Sequence, residues 1–97
     1  MKVIWQNDGL IHRARLAEPV TIKSKSWQGN LHAEKVCDLG YISWRENGIP
    51  FGGLWVANTY GSVNPTSPSE TFNDLDEAKA YVEEQALVGI TLNKLTR

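Results

Sequence analysis

YISWRENGIPFGGLWVA, residues 41–57, carries the clearest hairpin pattern in the chain. Tyr41-Ile42-Ser43-Trp44-Arg45 is dominated by aromatic and β-branched side chains, which suit a pleated, half-buried surface. Glu46-Asn47-Gly48 follows as a turn, because Asn-Gly favours positive φ at both central turn positions. Leu54-Trp55-Val56-Ala57 then forms part of the return strand. Trp44 and Trp55 are predicted to face one another across this hairpin and to belong to the core. Pro50 and Gly52-Gly53 disturb the pattern: proline cannot donate to a ladder, and paired glycines mark a bulge or the close approach of another backbone.

Toward the N-terminus, residues 2–17 read as a second hairpin. Val3-Ile4-Trp5 is short and apolar, Asn7-Asp8-Gly9 is a turn, and Leu10 to Leu16 returns. Pro19 is expected to break the chain. Val20 to Trp27 alternates as a strand, with Val20 and Ile22 inward and Thr21, Lys23 and Lys25 outward. Gln28-Gly29-Asn30 is a turn. Residues 31–39, LHAEKVCDL, fit neither period and read as an irregular or short helical connector.

On the C-terminal side the pattern changes. Asp74 followed by Glu77 makes a capping-box signature. Leu75, Ala78, Tyr81/Val82 and Ala86 recur at helical spacing, with Asp76, Lys79, Glu83 and Glu84 on the outer face. Gly89 is expected to cap this helix, and Ile90 to Leu95 to alternate as a last strand. The expectation is an α+β fold: a mostly antiparallel sheet built from hairpins, with one principal C-terminal helix packed on it. A length of 97 residues fits one domain, 1–97.

Charge narrows the function. Residues 1–50 carry seven Lys/Arg against five Asp/Glu, and residues 51–97 carry three against six. Neither a basic nucleic-acid module nor a strongly acidic DNA mimic has this balance, which leaves protein recognition open. The start of the chain lacks a signal-peptide pattern, no apolar run reaches membrane-spanning length, and Cys37 is a lone cysteine; a cytoplasmic location is expected.

Cys37 and His32 would meet only if their segment folded back, and a packed or merely exposed cysteine is the simpler reading. His12, His32, Cys37 and Asp38 lack metal-ligand spacing. The acidic residues between 70 and 84 fall mostly at the helix start or on its outer face, where dipole and solvation account for them. Phe51-Gly52-Gly53-Leu54 lacks the phosphate-loop pattern. The chain is therefore expected to be no enzyme and to need neither metal nor cofactor.

Two features remain. Four Trp in a small domain exceed what its core needs, which makes Trp5 and Trp27 candidate contact residues. GSVNPTSPSETF, residues 61–72, is a polar, Pro-interrupted loop that follows another such candidate, Tyr60. An ordinary surface connection of turn residues explains it. The alternative is that Pro65, and Pro68 between Ser67 and Ser69, form a ligand for a prolyl isomerase or an extended element for a partner's groove, since X-Pro bonds in loops exchange slowly and are stiff.

The length, the cytoplasmic character, the Trp-rich α+β pattern and Ser67-Pro68 within TSPSE together resemble the small anti-RecBCD proteins of lambdoid phages. The resemblance covers the whole chain and includes no catalytic motif. It implies a phage-encoded binder of the host RecBCD helicase–nuclease, acting through RecC in the bacterial cytoplasm. Unwinding would continue while the Chi response and the recombination outcome change. It also implies a host peptidyl-prolyl isomerase as a partner of the loop at Ser67-Pro68. The rival from another class is single-stranded nucleic-acid binding. There Lys2, Arg13, Arg15, Lys23, Lys25 and Lys35 would form a patch, with Trp5 or Trp27 stacking on bases.

Overall fold

The structure, a computed structural model, describes residues 2–25, 31–46 and 52–93. Its elements are β1 (Val3–Asp8), β2 (Ile11–Lys25), β3 (Leu31–Glu46), β4 (Gly53–Thr59), β5 (Glu70–Phe72) and α1 (Leu75–Asn93). The five strands form one antiparallel sheet in the order β1-β2-β3-β4-β5, and the helix packs on it. The α+β expectation holds. Trp27, the turns at 28–30 and 47–48, Pro50 and Lys94-Leu95 lie outside the described residues.

The strands of both hairpins pair as read, but Asn7 and Asp8 extend β1 and Glu46 extends β3 where turns were expected. Asp8 pairs with Ile11 around Gly9-Leu10, and Gly9 has φ 68°, a left-handed conformation that glycine adopts without steric cost. In the central hairpin Trp44 pairs directly with Trp55, their rings edge-on at 4.8 Å and 65°. Gly53 is required there. A Cβ at this position would lie 2.1 Å from Cζ2 of Trp44, so the close approach is made by an indole ring rather than by a backbone.

Four expectations are corrected. The end of the stretch read as a loop, Glu70–Phe72, is the edge strand β5, pairing with Ala57 back to Trp55. Residues 31–39 are no connector but the first half of β3, pairing with β2 from Lys25 back to Val20. The poor periodicity has a cause: Ala14 pairs with Gly40 and Arg15 with Asp38, so Leu39 is an extra residue, and it is fully buried. Pro19 does not end a strand. It lies in the irregular stretch between the Arg15 and Val20 pairings, where a missing N–H breaks no ladder bond, and β2 continues through it. Finally, residues 90–93 are not strand: the helix runs through Gly89 to Asn93, because Ile90 continues the buried row of Ala78, Val82 and Ala86.

Cross-strand register sorts the side chains. Trp5, Ala14, Gly40 and Thr59 form one row, and His12, Ile42 and Ala57 the next. These rows face α1, and the core includes Ala14, Leu16, Leu39, Ile42, Ala57, Ala78, Val82 and Ala86. Small residues at 78 and 86 let the helix lie close to the sheet. The alternate residues form the opposite face, which carries Ile4, Arg13, Arg15, Tyr41, Ser43, Arg45, Val56 and Asn58. No described element packs over that face.

Candidate protein-interaction site

The loop between β4 and β5 is fixed by residues inside it. Val63 is fully buried, which stabilises the loop's seat by about 1.5–3 kcal/mol relative to an exposed valine. Its carbonyl lies where a Cβ on Gly89 would be, at 2.1 Å. Gly89 is therefore a contact point between helix and loop, not a cap. Asn64, 4% exposed, is the hub. Its amide nitrogen donates to the Gln85 carbonyl of α1 at 2.9 Å. Its side-chain oxygen accepts from the Thr66 N–H at 3.1 Å and from the Thr66 hydroxyl at 2.9 Å, an Asx turn. The Tyr60 carbonyl accepts from the N–H groups of both Val63 and Asn64.

The far end of the loop is tied as well. The Tyr81 hydroxyl donates to the Pro68 carbonyl at 2.7 Å, and the Ser69 hydroxyl donates to the Asn58 side-chain oxygen. Between these ties Pro65, Thr66, Pro68 and Ser69 are exposed, while Ser67 is half-buried with its hydroxyl unpartnered. The bonds preceding both prolines are trans. The sequence marked this loop by its prolines. It missed the anchors Val63, Asn64, Tyr81, Gln85 and Gly89, whose only trace was a glycine and an amide at positions that helix and turn rules explained otherwise.

Tyr60 opens the loop, half-buried, its N–H bonded to the Leu39 carbonyl and its ring 5.8 Å from that of Tyr41. Tyr41 pairs in register with Arg13 on one side and Asn58 on the other. Through Asn58 and Ser69, the loop is continuous with the sheet face away from the helix.

Trp5 is not brought to this site. It sits on β1, at the opposite edge of the sheet, and faces the helix. Its indole N–H donates to a Glu83 carboxylate oxygen at 2.9 Å, and the Lys79 ammonium lies 5.5 Å from the ring centroid. Trp27 lies outside the described residues. The six-cation patch is divided. Arg13 and Arg15 share the face away from the helix, whereas Lys2 lines a cavity of about 550 Å³ between β2 and the helix end at Leu87–Thr91. The side chains of Lys23 and Lys25 are not described, and Lys35 lies farther along β3.

His12 is buried edge-on to Trp55 at 5.3 Å, and its pKa is lowered, first by burial and then by Lys79. Cys37 is half-buried and donates to the Leu16 carbonyl at 3.5 Å. It shares strand β3 with His32 five residues away, roughly 16 Å at strand spacing, so the two form no catalytic pair. Among the described residues, no three metal-ligating side chains cluster, and no helix is long and apolar enough to cross a membrane. The site thus consists of a clamped proline loop at the margin of an open, antiparallel sheet. Comparison of the chain with protein-family models, curated proteins and solved structures finds no match.

Proposed function

We propose that this protein is a phage-encoded, non-enzymatic modulator of the host RecBCD helicase–nuclease. It binds through RecC and presents residues 61–71 to a host peptidyl-prolyl isomerase. The observation that supports this reading is the loop's construction. Val63 and Asn64 hold one end, Tyr81 and Asn58 hold the other, and Pro65, Pro68 and Ser69 are left exposed between them. A loop held in this way loses little conformational entropy on docking, which favours its use as a recognition element. The partner names come from the whole-chain resemblance drawn from the sequence.

The test is a pull-down with tagged protein, wild type beside Pro68→Ala, after nuclease treatment and washing at moderate salt. The expected result is recovery of RecB, RecC and RecD with both forms, and of a prolyl isomerase with the wild type alone. Pro68→Ala retains the carbonyl that Tyr81 holds, and its exposed position predicts a stability change within about 0.5 kcal/mol. Recovery of neither partner by the wild type would overturn the proposal, and equal isomerase recovery by both forms would remove Pro68 from the site.

A further inference from the structure

We infer that the sheet face away from the helix is the surface that docks an acidic segment of the protein partner, an inference that rests on the function proposed above. Its composition is that of a protein interface. Ile4 is 44% exposed, Ile11 and Val56 are half-buried, Tyr41 stands at the centre with Arg13 paired beside it, and Arg45 lies exposed farther along β3. Tyrosine and arginine are enriched where interfaces concentrate their binding energy.

Charge selects the occupant. The one ion pair among the described residues joins Arg15 to Asp38 on this face, at 2.8 Å. Arg13 and Arg45 make no ion pair among the described residues; Asp8 lies diagonally beside Arg13 on the same face, which keeps a net positive charge from three Arg against Asp8 and Asp38. The outer face of α1 carries Asp76, Glu77 and Glu84, so the molecule is acidic on the helix side and basic on the sheet side. An acidic protein segment matches the sheet side and is repelled by the helix side, which fixes orientation as well as attraction.

Single-stranded nucleic acid fits less well. Base stacking needs free aromatic faces, whereas Tyr41 and Tyr60 turn toward each other at 5.8 Å and are half-buried. Ile4, Ile11 and Val56 offer phosphates nothing. Continuity adds to the case, since Asn58 on this face bonds to Ser69 of the proline loop. One partner can therefore span both.

The experiment measures association with purified RecBCD by interferometry at two salt concentrations. It compares wild type, Arg13→Glu/Arg45→Glu and Arg13→Lys/Arg45→Lys, with circular dichroism confirming the fold of each. Fluorescence anisotropy with a labelled dT20 oligonucleotide runs in parallel. Reversal of the two charges is expected to weaken binding at least about tenfold, largely through a slower, less salt-dependent association rate, while the Lys pair stays within about threefold. If wild type binds RecBCD and the reversed variant binds equally, the docking surface is wrong and the function stands. If wild type does not bind RecBCD, the function fails and the assigned occupant fails with it. Salt-sensitive dT20 binding lost in the reversed variant would give the face to nucleic acid and overturn the inference.

Discussion

Gly89→Ala reverses the sign that helix propensity alone assigns. Replacing glycine with alanine inside a helix ordinarily stabilises it by about 1 kcal/mol, and Gly89 lies within α1, four residues from its end at Asn93. Here the added Cβ would lie 2.1 Å from the Val63 carbonyl oxygen, 2.7 Å from Cβ of Asn64 and 2.9 Å from the Val63 carbonyl carbon. Two of those three atoms are backbone, so no rotamer change relieves the overlap. The helix and the loop must separate by roughly 1 Å. Overpacking of this kind typically costs about 1–3 kcal/mol. Loosening the Asn64–Gln85 hydrogen bond adds about 1 kcal/mol. After the propensity gain, the net expectation is a loss of about 1–3 kcal/mol, which in a domain of this size lowers Tm by roughly 5–20 °C. Thermal melting followed by circular dichroism measures it, with Gly61→Ala as the control. A Cβ on Gly61 meets no atom within 4 Å, so that variant should change stability by no more than about 0.5 kcal/mol, the usual range for an exposed site. If Gly89→Ala melts at or above the wild-type temperature, the packing of loop against helix described here is wrong.

The remaining expectations concern the helix-facing side of the sheet. Trp5→Phe keeps the apolar ring but loses the bond to Glu83 and weakens the contact with Lys79. A loss of about 0.5–1.5 kcal/mol is expected, and a double-mutant cycle with Glu83→Gln should assign most of it to that pair. His12 is buried with a lowered pKa, so the unfolded chain binds its proton more readily than the folded one. Its contribution is present above the unfolded imidazole value of about 6.5 and is lost as pH falls below it, by at most about 1.4 kcal/mol per pH unit. Urea midpoints at pH 7.5 and 5.5 should show a smaller acid-side loss in His12→Phe than in wild type. Parallel losses in the two proteins would mean that His12 is not the group responsible.

The short-range grammar of the chain was sufficient for its class. Asn7-Asp8-Gly9 placed a hairpin because glycine alone takes the turn's positive φ cheaply, and Trp44 and Trp55 found each other because strand pairing around a turn is local. The helix began where Asp74 and the apolar spacing put it, since each of those signals acts within one or two turns. Other decisions needed partners distant in sequence. Residues 31–39 became a strand through pairing with Val20–Lys25, and Leu39 spoiled their periodicity only because Ala14 and Arg15 impose a register shift across the sheet. Ile90 and Leu92 alternate as well as any strand, yet the continued burial of Ile90 beside Val82 and Ala86 keeps them helical. The proline segment was legible as a loop over residues 61–69, where two prolines and small polar residues disfavour regular structure, but Glu70–Phe72 became a strand through pairing with β4. The loop's rigidity was not legible, because that depends on Asn64 reaching Gln85 and on Tyr81 reaching Pro68, contacts between segments that the fold alone brings together.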